Sequence, residues 1–293
     1  MEKLLRDKRA IVLFVLPGLL FFVVIILVPL VQTGYYSLLS WDGITAPSFI
    51  GLNNYAKLFT DSATKFGAAI GHSLILAGMS VFLQLPIALV LALVLASGVR
   101  GEKFYRTVYF IPVIVSTVII GQLWMKIYHP SYGMLNTLLR STGLENLAQP
   151  WLAQKETALA ATFIPMIWQY IGYHMLLLYT AAKSVSSDIY EAARVDGATD
   201  RQVAAYITLP QIVPMLKTCV IFAVIGSLKS FDLIYILTKG GPSQATEVPA
   251  TLMYSNIFTK YAYGYGSAMA VFIIVECLLL TVLIQRLFPS DPN

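Results

Sequence analysis

The feature that most constrains this chain is a set of six apolar segments, each close to the length that crosses a lipid bilayer. A spanning helix needs about 20 predominantly apolar residues. Backbone groups in lipid have no water to bond, so each segment must satisfy its own hydrogen bonds as a helix. A β-barrel would show alternating segments of about 10 residues, and none is found in this sequence. The pattern predicts an all-α polytopic membrane protein with six transmembrane helices. The segments are 11–31, 70–96, 107–127, 157–182, 214–237 and 266–286.

The composition supports a lipid environment. Hydrophobic residues make up 57% of the 293 residues and charged residues 12%, whereas soluble domains carry about 25% charge. The net charge of +5 does not indicate nucleic-acid binding, because the basic residues cluster at the ends of apolar runs. Cys219 and Cys277 lie inside apolar runs without disulfide or metal-ligand spacing, so ordinary packing is expected for both.

The first apolar run is interpreted as a retained helix. A signal peptide has a shorter apolar core and a small-residue cleavage site, whereas this run ends in Pro29-Leu30-Val31. Pro86, Pro112 and Pro165 are each expected to bend a helix. The predicted organisation is an N-terminal tail (1–10), a first transmembrane helix (11–31), an extracytoplasmic loop (32–69), a transmembrane domain of five helices (70–286) and a C-terminal tail (287–293).

The lysine and arginine residues predict the orientation. With the N-terminus in the cytoplasm, twelve of them fall in inner regions and seven in outer regions, with Lys229 left inside a span. Cytoplasmic loops carry the excess of Lys and Arg. Both termini are therefore expected in the cytoplasm.

The polar loop, residues 184–213, lies on the predicted inner side and has the pattern of two short helices. Asp188 and Glu191 have capping-box spacing, so the first helix is expected to begin near Asp188. Gly197 is placed to end that helix in a left-handed turn, where glycine has no steric penalty.

The second helix of the polar loop has its own signals. Thr199 and Gln202 repeat the capping box, and Leu209-Pro210 is expected to close the unit before the next span. Ala192 and Ala193 give the first helix a small, smooth face on which a partner could dock. The alternative is an amphipathic loop that rests on lipid headgroups.

Two blocks resemble a known family, the membrane subunits of ABC importers. The polar loop is similar to their EAA coupling loop, and residues 231–242 are similar to the exit of the fifth span in the MalF-like carbohydrate branch. The resemblance covers most of the chain. The residues that carry it in the polar loop are Glu191, Ala192, Ala193, Asp196, Gly197, Ala198, Ile207, Leu209 and Pro210.

This resemblance implies a type I ABC importer permease fold in a bacterial cytoplasmic membrane, with no catalytic residue and no cofactor or metal in this chain. The polar loop would dock on a separate ATPase dimer that binds ATP and Mg, with Glu191 and Gly197 as its most important residues. The chain contains no G-x-x-x-x-G-K-[ST] phosphate loop of its own. The other implied partners are a second, non-identical permease subunit, an extracytoplasmic solute-binding protein, a carbohydrate and membrane lipid.

The resemblance also implies positions along a solute path. Serines stand where the family has asparagines in the fifth span. The alternative for each position is structural, since tyrosines anchor at membrane interfaces and serines bond their own helix. The path positions are Tyr109, Tyr170, Tyr173, Ser227 and Ser230.

Three ionisable residues lie inside predicted spans, where charge is costly. Lys229 and Asp232 are three apart and are expected to pair on one helix face. Glu276 is expected to pair across helices, although a protonated or water-lining state and a proton relay are alternatives. His174 either lines the path or packs.

The predicted function is the permease subunit of an ATP-driven importer of a di- or oligosaccharide or related glycan fragment. Three alternatives stay open. They are an importer of a polyol or glycerol phosphate in the same branch, a secondary transporter with an ion site at Glu276 and Asp232, and a structural or regulatory membrane protein whose loop recruits a partner.

Overall fold

The computed structural model describes residues Lys8–Phe288, with side chains from Val12 onward. The predicted tails lie largely outside this range. Within it the chain is mainly helical, with one short β-hairpin. The helices, numbered in chain order, are α1 (Lys8–Phe22), α2 (Val28–Tyr36), α3 (Asn53–Thr60), α4 (Phe66–Met79), α5 (Leu85–Ala96), α6 (Glu102–Ile114), α7 (Thr117–Ile127), α8 (Met134–Ser141), α9 (Lys155–Lys183), α10 (Ser187–Val195), α11 (Asp200–Gln202), α12 (Leu209–Leu228), α13 (Asp232–Thr238), α14 (Pro249–Tyr254) and α15 (Tyr263–Leu287).

Four helical segments of the described chain are long and apolar enough to cross a membrane, or five if a bent pair counts as one span. The predicted span 157–182 coincides with α9, a 29-residue helix. Helix α9 is not one of the four segments, because polar residues near its middle, among them Gln169 and His174, lower its mean hydropathy. The four segments are Val12–Tyr36, Phe66–Ala96, Asp200–Thr238 and Tyr263–Leu287.

Two predicted spans are broken rather than continuous. The span 107–127 consists of α6 and α7, which are bent by 95° relative to each other. Pro112 lies in the last turn of α6, where it removes a helix hydrogen bond. The span 214–237 is interrupted between α12 and α13 by an irregular backbone at 229–231. By contrast, α9 runs unbroken past Pro165.

Three π-helical segments precede prolines in long helices. A π turn bonds each N–H to the carbonyl five residues back, and Leu85 and Leu209 donate in this way to Ser80 and Ala204. The next residue in each case is a proline, which cannot donate a helix hydrogen bond. The wider turn therefore lets the helix continue through the proline. The segments are Val23–Leu27, Ser80–Gln84 and Val203–Thr208, followed by Pro29, Pro86 and Pro210.

The chain forms two compact units, one from residues up to Thr64 with Leu252–Phe272, the other from Lys65–Thr251 with residues from Ile273. In the first unit, strands β1 (Leu39–Ser40) and β2 (Ser48–Phe49) pair antiparallel. The buried Asn54 amide donates to the Ser37 and Leu39 carbonyls, both at 2.8 Å, which fixes α3 against the start of the hairpin.

In the same unit, the most apolar stretch of the N-terminal helix has no residue buried within the chain. The hairpin loop is held by Asp42, whose pKa is lowered because its carboxylate accepts hydrogen bonds from the N–H groups of Ile44 and Thr45. A carboxylate that accepts backbone N–H bonds is stabilised in its charged form, so Asp42 holds this loop as an anion.

The second unit is built around α9, which packs against α5, α6, α12 and α13. Small residues allow close helix approach, as in other helical membrane proteins. Gly172 of α9 faces the backbone of Tyr109 in α6, where an added Cβ would lie 1.9 Å from the carbonyl oxygen. The main core cluster joins α5, α9 and α12 through Leu85, Ala88, Ala92, Leu95, Met175, Leu178, Tyr179, Ala182, Ile212, Cys219 and Ala223.

Candidate functional site

A cavity of about 370 Å³ lies in the second unit where three helices lose regular geometry. It is lined by residues of the π segment Ser80–Gln84, by Thr117 at the start of α7, and by the irregular 229–231 backbone between α12 and α13. The middle of α9 and the last two turns of α12 form most of the rest of its lining. Non-helical backbone at membrane depth is tolerated where it lines a cavity, and broken helices at a central cavity are typical of transporters.

The cavity wall contains buried polar atoms without a protein partner among the described residues. They are Gln169 Oε1, His174 Nδ1 and Ser230 Oγ, on side chains that are only 2%, 3% and 8% exposed. Buried polar groups nearly always have hydrogen-bond partners. These atoms have almost no accessible surface in this conformation, so hydroxyl groups in the cavity would bond them once the side chains turn toward it.

Two serines complete the polar wall. Ser80 Oγ lies 3.1 Å from Ser227 Oγ, and the Ser227 hydroxyl is 2.8 Å from the Ala223 carbonyl to which it donates. The charged side chains of the lining are Lys229 and Asp232, one of each sign. The lining therefore has no excess of cationic groups, the feature that recognition of anionic groups favours.

Most predicted path residues meet in this cavity. Tyr170, Tyr173, Ser227 and Ser230 all line it, whereas Tyr109 is not among its lining residues and instead packs its carbonyl against Gly172. The prediction missed Ser80, Gln84 and Gln169, although a polar residue within an apolar span is a usable signal. His174, for which packing was an alternative, is both buried and part of the lining.

The predicted pairing of the intramembrane charges is wrong for Lys229 and Asp232. The helix ends at Leu228 and resumes at Asp232, so the two residues do not share a helix face, and no ion pair within 4.0 Å joins them in the described chain. Glu276 lies outside the cavity lining, and its Oε2 atom has no hydrogen-bond partner among residues 8–288. The predicted cross-helix pairing of Glu276 is not seen within the part of the chain that the structure describes.

The polar loop is built from two helices joined at Gly197, as predicted, with one change of cap. Ser186 rather than Asp188 caps α10, because its hydroxyl accepts from the Asp188 N–H at 3.3 Å. Gly197 has a φ of +80°. Its N–H donates to Arg194 and that of Ala198 donates to Ala193, which is a Schellman turn.

The predicted capping box of Thr199 and Gln202 is confirmed. The Thr199 N–H donates to Gln202 Oε1 at 2.8 Å, and the Gln202 N–H lies 3.4 Å from Thr199 Oγ1. The expectation that Leu209-Pro210 closes the loop is wrong, because the helix continues through the π segment Val203–Thr208 into α12. The second half of the loop is thus the first part of the next membrane helix.

The outer face of the loop is the surface formed by its exposed residues, among them Glu191, Ala192, Val195 and Tyr206. Glu191 is exposed, and the described part of the chain offers it neither a hydrogen bond nor an ion pair. Ala192 is exposed, but Ala193 is buried and packs inward, so the two alanines do not share one docking face. Val195 and Tyr206 are 88% and 79% exposed, which gives the outer face an apolar component.

Comparisons with known proteins agree with this architecture. Residues 84–290 match the family described as "Binding-protein-dependent transport system inner membrane component". The chain is 35% identical to the probable ABC transporter permease protein YurN of Bacillus subtilis, over 97% of this chain and 98% of the relative. It is 32% identical to the trehalose/maltose transport system permease protein MalF of Thermococcus litoralis, over 94% of this chain and 92% of that one.

A solved structure has the same fold. A chain of a bacterial ABC transporter involved in the import of the acidic polysaccharide alginate superposes with a TM-score of 0.85 at 25% identity, covering 100% of this chain and 99% of that chain. The broken helices around a polar cavity and these similarities define a non-enzymatic membrane transport permease. The chain belongs to the family of binding-protein-dependent transport system inner membrane components.

Proposed function

We propose that this chain is the permease subunit of an ATP-driven importer that moves a neutral carbohydrate across a bacterial cytoplasmic membrane. The observation that carries the proposal is the polar cavity at the helix breaks, with its three unpartnered buried atoms. In this proposal six helices span the membrane, α6–α7 and α9 among them, with both termini in the cytoplasm. A second, non-identical permease subunit and an extracytoplasmic binding protein complete the path.

Recognition of a sugar would use the chemistry of the cavity wall. Tyr170 and Tyr173 supply aromatic surface, and Gln169, Ser227 and Ser230 supply hydrogen bonds to hydroxyl groups. A relative named for trehalose and maltose transport supports this class. An acidic glycan such as alginate is less well supported, because Asp232 offsets the single lysine of the lining.

Coupling would occur through the polar loop. Its outer face presents Glu191, which has no hydrogen bond or ion pair within the described chain, and Val195 one turn further along the same helix, with Tyr206 exposed on the next helix. An ATPase subunit that binds this face could displace the loop when its dimer closes on ATP and Mg. Because α11, the following π segment and α12 form one continuous helix, such a displacement would act directly on a wall of the cavity.

The other transport classes find less support. A glycerol phosphate would bring a phosphate to a lining that balances Lys229 with Asp232, whereas phosphate sites favour several cationic donors. An uncharged polyol carries the same hydroxyl groups as a sugar. Only a measurement of uptake distinguishes these two substrate classes. An ion-coupled mechanism would need Glu276 and Asp232 at one site, and only Asp232 lines the cavity.

The test is solute uptake by the complete importer, with both permeases, the ATPase and the binding protein, in proteoliposomes. Radiolabelled maltose and trehalose are compared with glycerol and glycerol 3-phosphate. ATP-dependent uptake of a disaccharide supports the proposal. Preferential uptake of glycerol or glycerol 3-phosphate would refute a carbohydrate as the substrate. Uptake driven by an ion gradient without ATP would refute the ATP-driven mechanism.

Within this assay, Gln169→Leu is expected to reduce uptake of the preferred solute by about two- to tenfold, the effect of losing one neutral hydrogen bond. The melting temperature of the permease should stay equal or rise, because the variant also removes a buried acceptor that has no protein partner. A structural residue would instead lose stability and uptake together.

The matched control is Met166→Leu, a near-isosteric change of another lining residue. It alters the wall without removing a strong hydrogen-bonding atom, so uptake should stay close to that of the wild type. Equal losses in both variants would mean that cavity shape, not the Gln169 amide, governs transport.

A further inference from the structure

Tyr190, in the first helix of the polar loop, reaches both membrane helices that flank the loop. Its hydroxyl lies 3.2 Å from the Ala182 carbonyl oxygen at the end of α9. It also lies 3.1 Å from Thr208 Oγ1, in the last residue before α12. Ala182 and Thr208 are both buried and Tyr190 is half-buried, so one phenol oxygen connects three separate elements at the edge of the packed region.

The bond to Ala182 satisfies a helix end. The last four carbonyls of a helix have no partner within it, and the Ser184 N–H already bonds those of Thr180 and Ala181. Because a carbonyl only accepts, the Tyr190 hydroxyl must donate to Ala182. Its oxygen then accepts from the Thr208 hydroxyl, whose single proton is directed to Tyr190 at 3.1 Å rather than to the more distant Val203 carbonyl at 3.4 Å.

Few other contacts hold this helix. Ala193 is the single buried residue of α10, and α10 has no extensive packing against another helix of the described chain. Tyr190 and Ala193 are three residues apart and therefore lie on one face. That inner face attaches α10 to its own chain, while Glu191 and Val195 remain exposed for a partner.

The C-terminal end of α9, which accepts the Tyr190 hydrogen bond, is held in place by contacts to α6. Lys183 Nζ lies 3.4 Å from Glu102 Oε2 at the start of α6. The Tyr179 hydroxyl donates to Glu102, and the Arg106 guanidinium donates to that hydroxyl at 3.3 Å. Helix ends that lack such contacts fray. Because of these contacts, a movement of Ala182 caused by Tyr190 would move the end of α9 together with α6.

We propose that Tyr190 is a positioning residue that transmits displacement of α10 to α9 and α12 at the same time. Without its hydroxyl, α10 would keep the packing of Ala193 and its chain connections through residues 184–186 and the Gly197 turn. It would lose the hydrogen bonds of the Tyr190 side chain to the end of α9 and to Thr208. The inference rests on the proposed docking of an ATPase on the polar loop.

The experiment is hydrogen–deuterium exchange on the complete importer, without nucleotide and with ATP, Mg²⁺ and vanadate, a comparison that needs no solute. In the wild type, ATP should change exchange in the polar loop and in the cavity segment 222–232. In Tyr190→Phe both bonds of the hydroxyl are lost. The change in the loop should persist, while the change in 222–232 falls by about two- to tenfold, the effect of the bond on the α12 side.

Two variants of the second partner give the matched comparison. Thr208→Val removes the bond on the α12 side and keeps the Tyr190–Ala182 bond. It should therefore reduce the change at 222–232 by no more than Tyr190→Phe does, and the double variant should match Tyr190→Phe. Thr208→Ser keeps the hydroxyl and should behave as the wild type.

The outcomes separate this inference from the proposed function. Undiminished change at 222–232 in Tyr190→Phe would overturn the inference alone. Loss of ATPase co-purification in that variant would also overturn it, since a positioning residue leaves docking intact. Absence of any ATP effect on the polar loop of the wild type would overturn the proposed coupling itself.

Discussion

Replacing Gly172 with alanine is expected to destabilise the permease strongly, and Gly172→Val is expected to prevent accumulation of folded protein. The alanine Cβ would lie 1.9 Å from the Tyr109 carbonyl oxygen and 2.7 Å from its carbonyl carbon. Both are backbone atoms of α6, so no side-chain rotation relieves the clash and the two helices must separate. Overpacking in ordinary cores lowers the free energy of unfolding by about 1–3 kcal/mol. A backbone clash this close is expected to cost at least the upper value of that range.

The measurement is the melting temperature and the yield of monodisperse protein in detergent. Gly71→Ala in α4 is the matched control, because nothing lies within 4 Å of the Cβ position there. Removing a glycine from a helix interior gains about 0.5–1 kcal/mol, so the control should be neutral or slightly stabilised. Wild-type melting of Gly172→Ala would show that α6 and α9 are not in close contact.

Gly197→Pro is expected to abolish ATP-dependent uptake while the permease remains folded. The φ of +80° at this position is inaccessible to proline, which is fixed near −65°. Proline also removes the N–H that donates to Arg194 at 3.1 Å. The Schellman turn then cannot form and the angle between the two helices of the polar loop changes. Because Gly197 has no neighbour within 4 Å of its Cβ position, the effect is conformational rather than a loss of packing.

The chain offers a close control for this substitution. Gly143 has a φ of +76° and an equally open Cβ position. Its N–H donates to Arg140 and the N–H of Leu144 donates to Leu139, so the same motif ends α8. Gly143→Pro should disturb that turn but preserve most uptake, since α8 lies outside the polar loop. Uptake per ATP is measured in both variants, and similar values would remove Gly197 from the coupling mechanism.

The local signals of the sequence were reliable where a short segment fixes its own geometry. Gly197 ends a helix because only a left-handed residue closes that turn, and the Thr199 and Gln202 side chains cap the next helix wherever it is placed. The first helix also begins close to the expected residue, although Ser186 provides the cap. These interactions span six residues or fewer, so the sequence contains all the partners.

The points where helices break or continue, and the contacts between distant segments, could not be predicted in the same way. The continuity of the loop into α12 depends on a π turn that accommodates Pro210, which apolar length does not reveal. The pairing expected for Lys229 and Asp232 assumed an unbroken helix, and the break at 229–231 removed it. Tyr109 matched a path position by spacing, yet its backbone faces Gly172.

The sequence by itself determined that this chain is a helical membrane protein and that its polar loop contains two helices joined at a glycine, because both follow from burial in lipid and from local hydrogen bonds. Only the tertiary structure decided which polar residues meet. Gln169, Ser230 and Ser80 are far apart in the chain and share one cavity because α4, α9 and α12 pack together around helix breaks. Side-chain packing and the exact points where helices break set that meeting place, and neither is encoded in the spacing of a single segment.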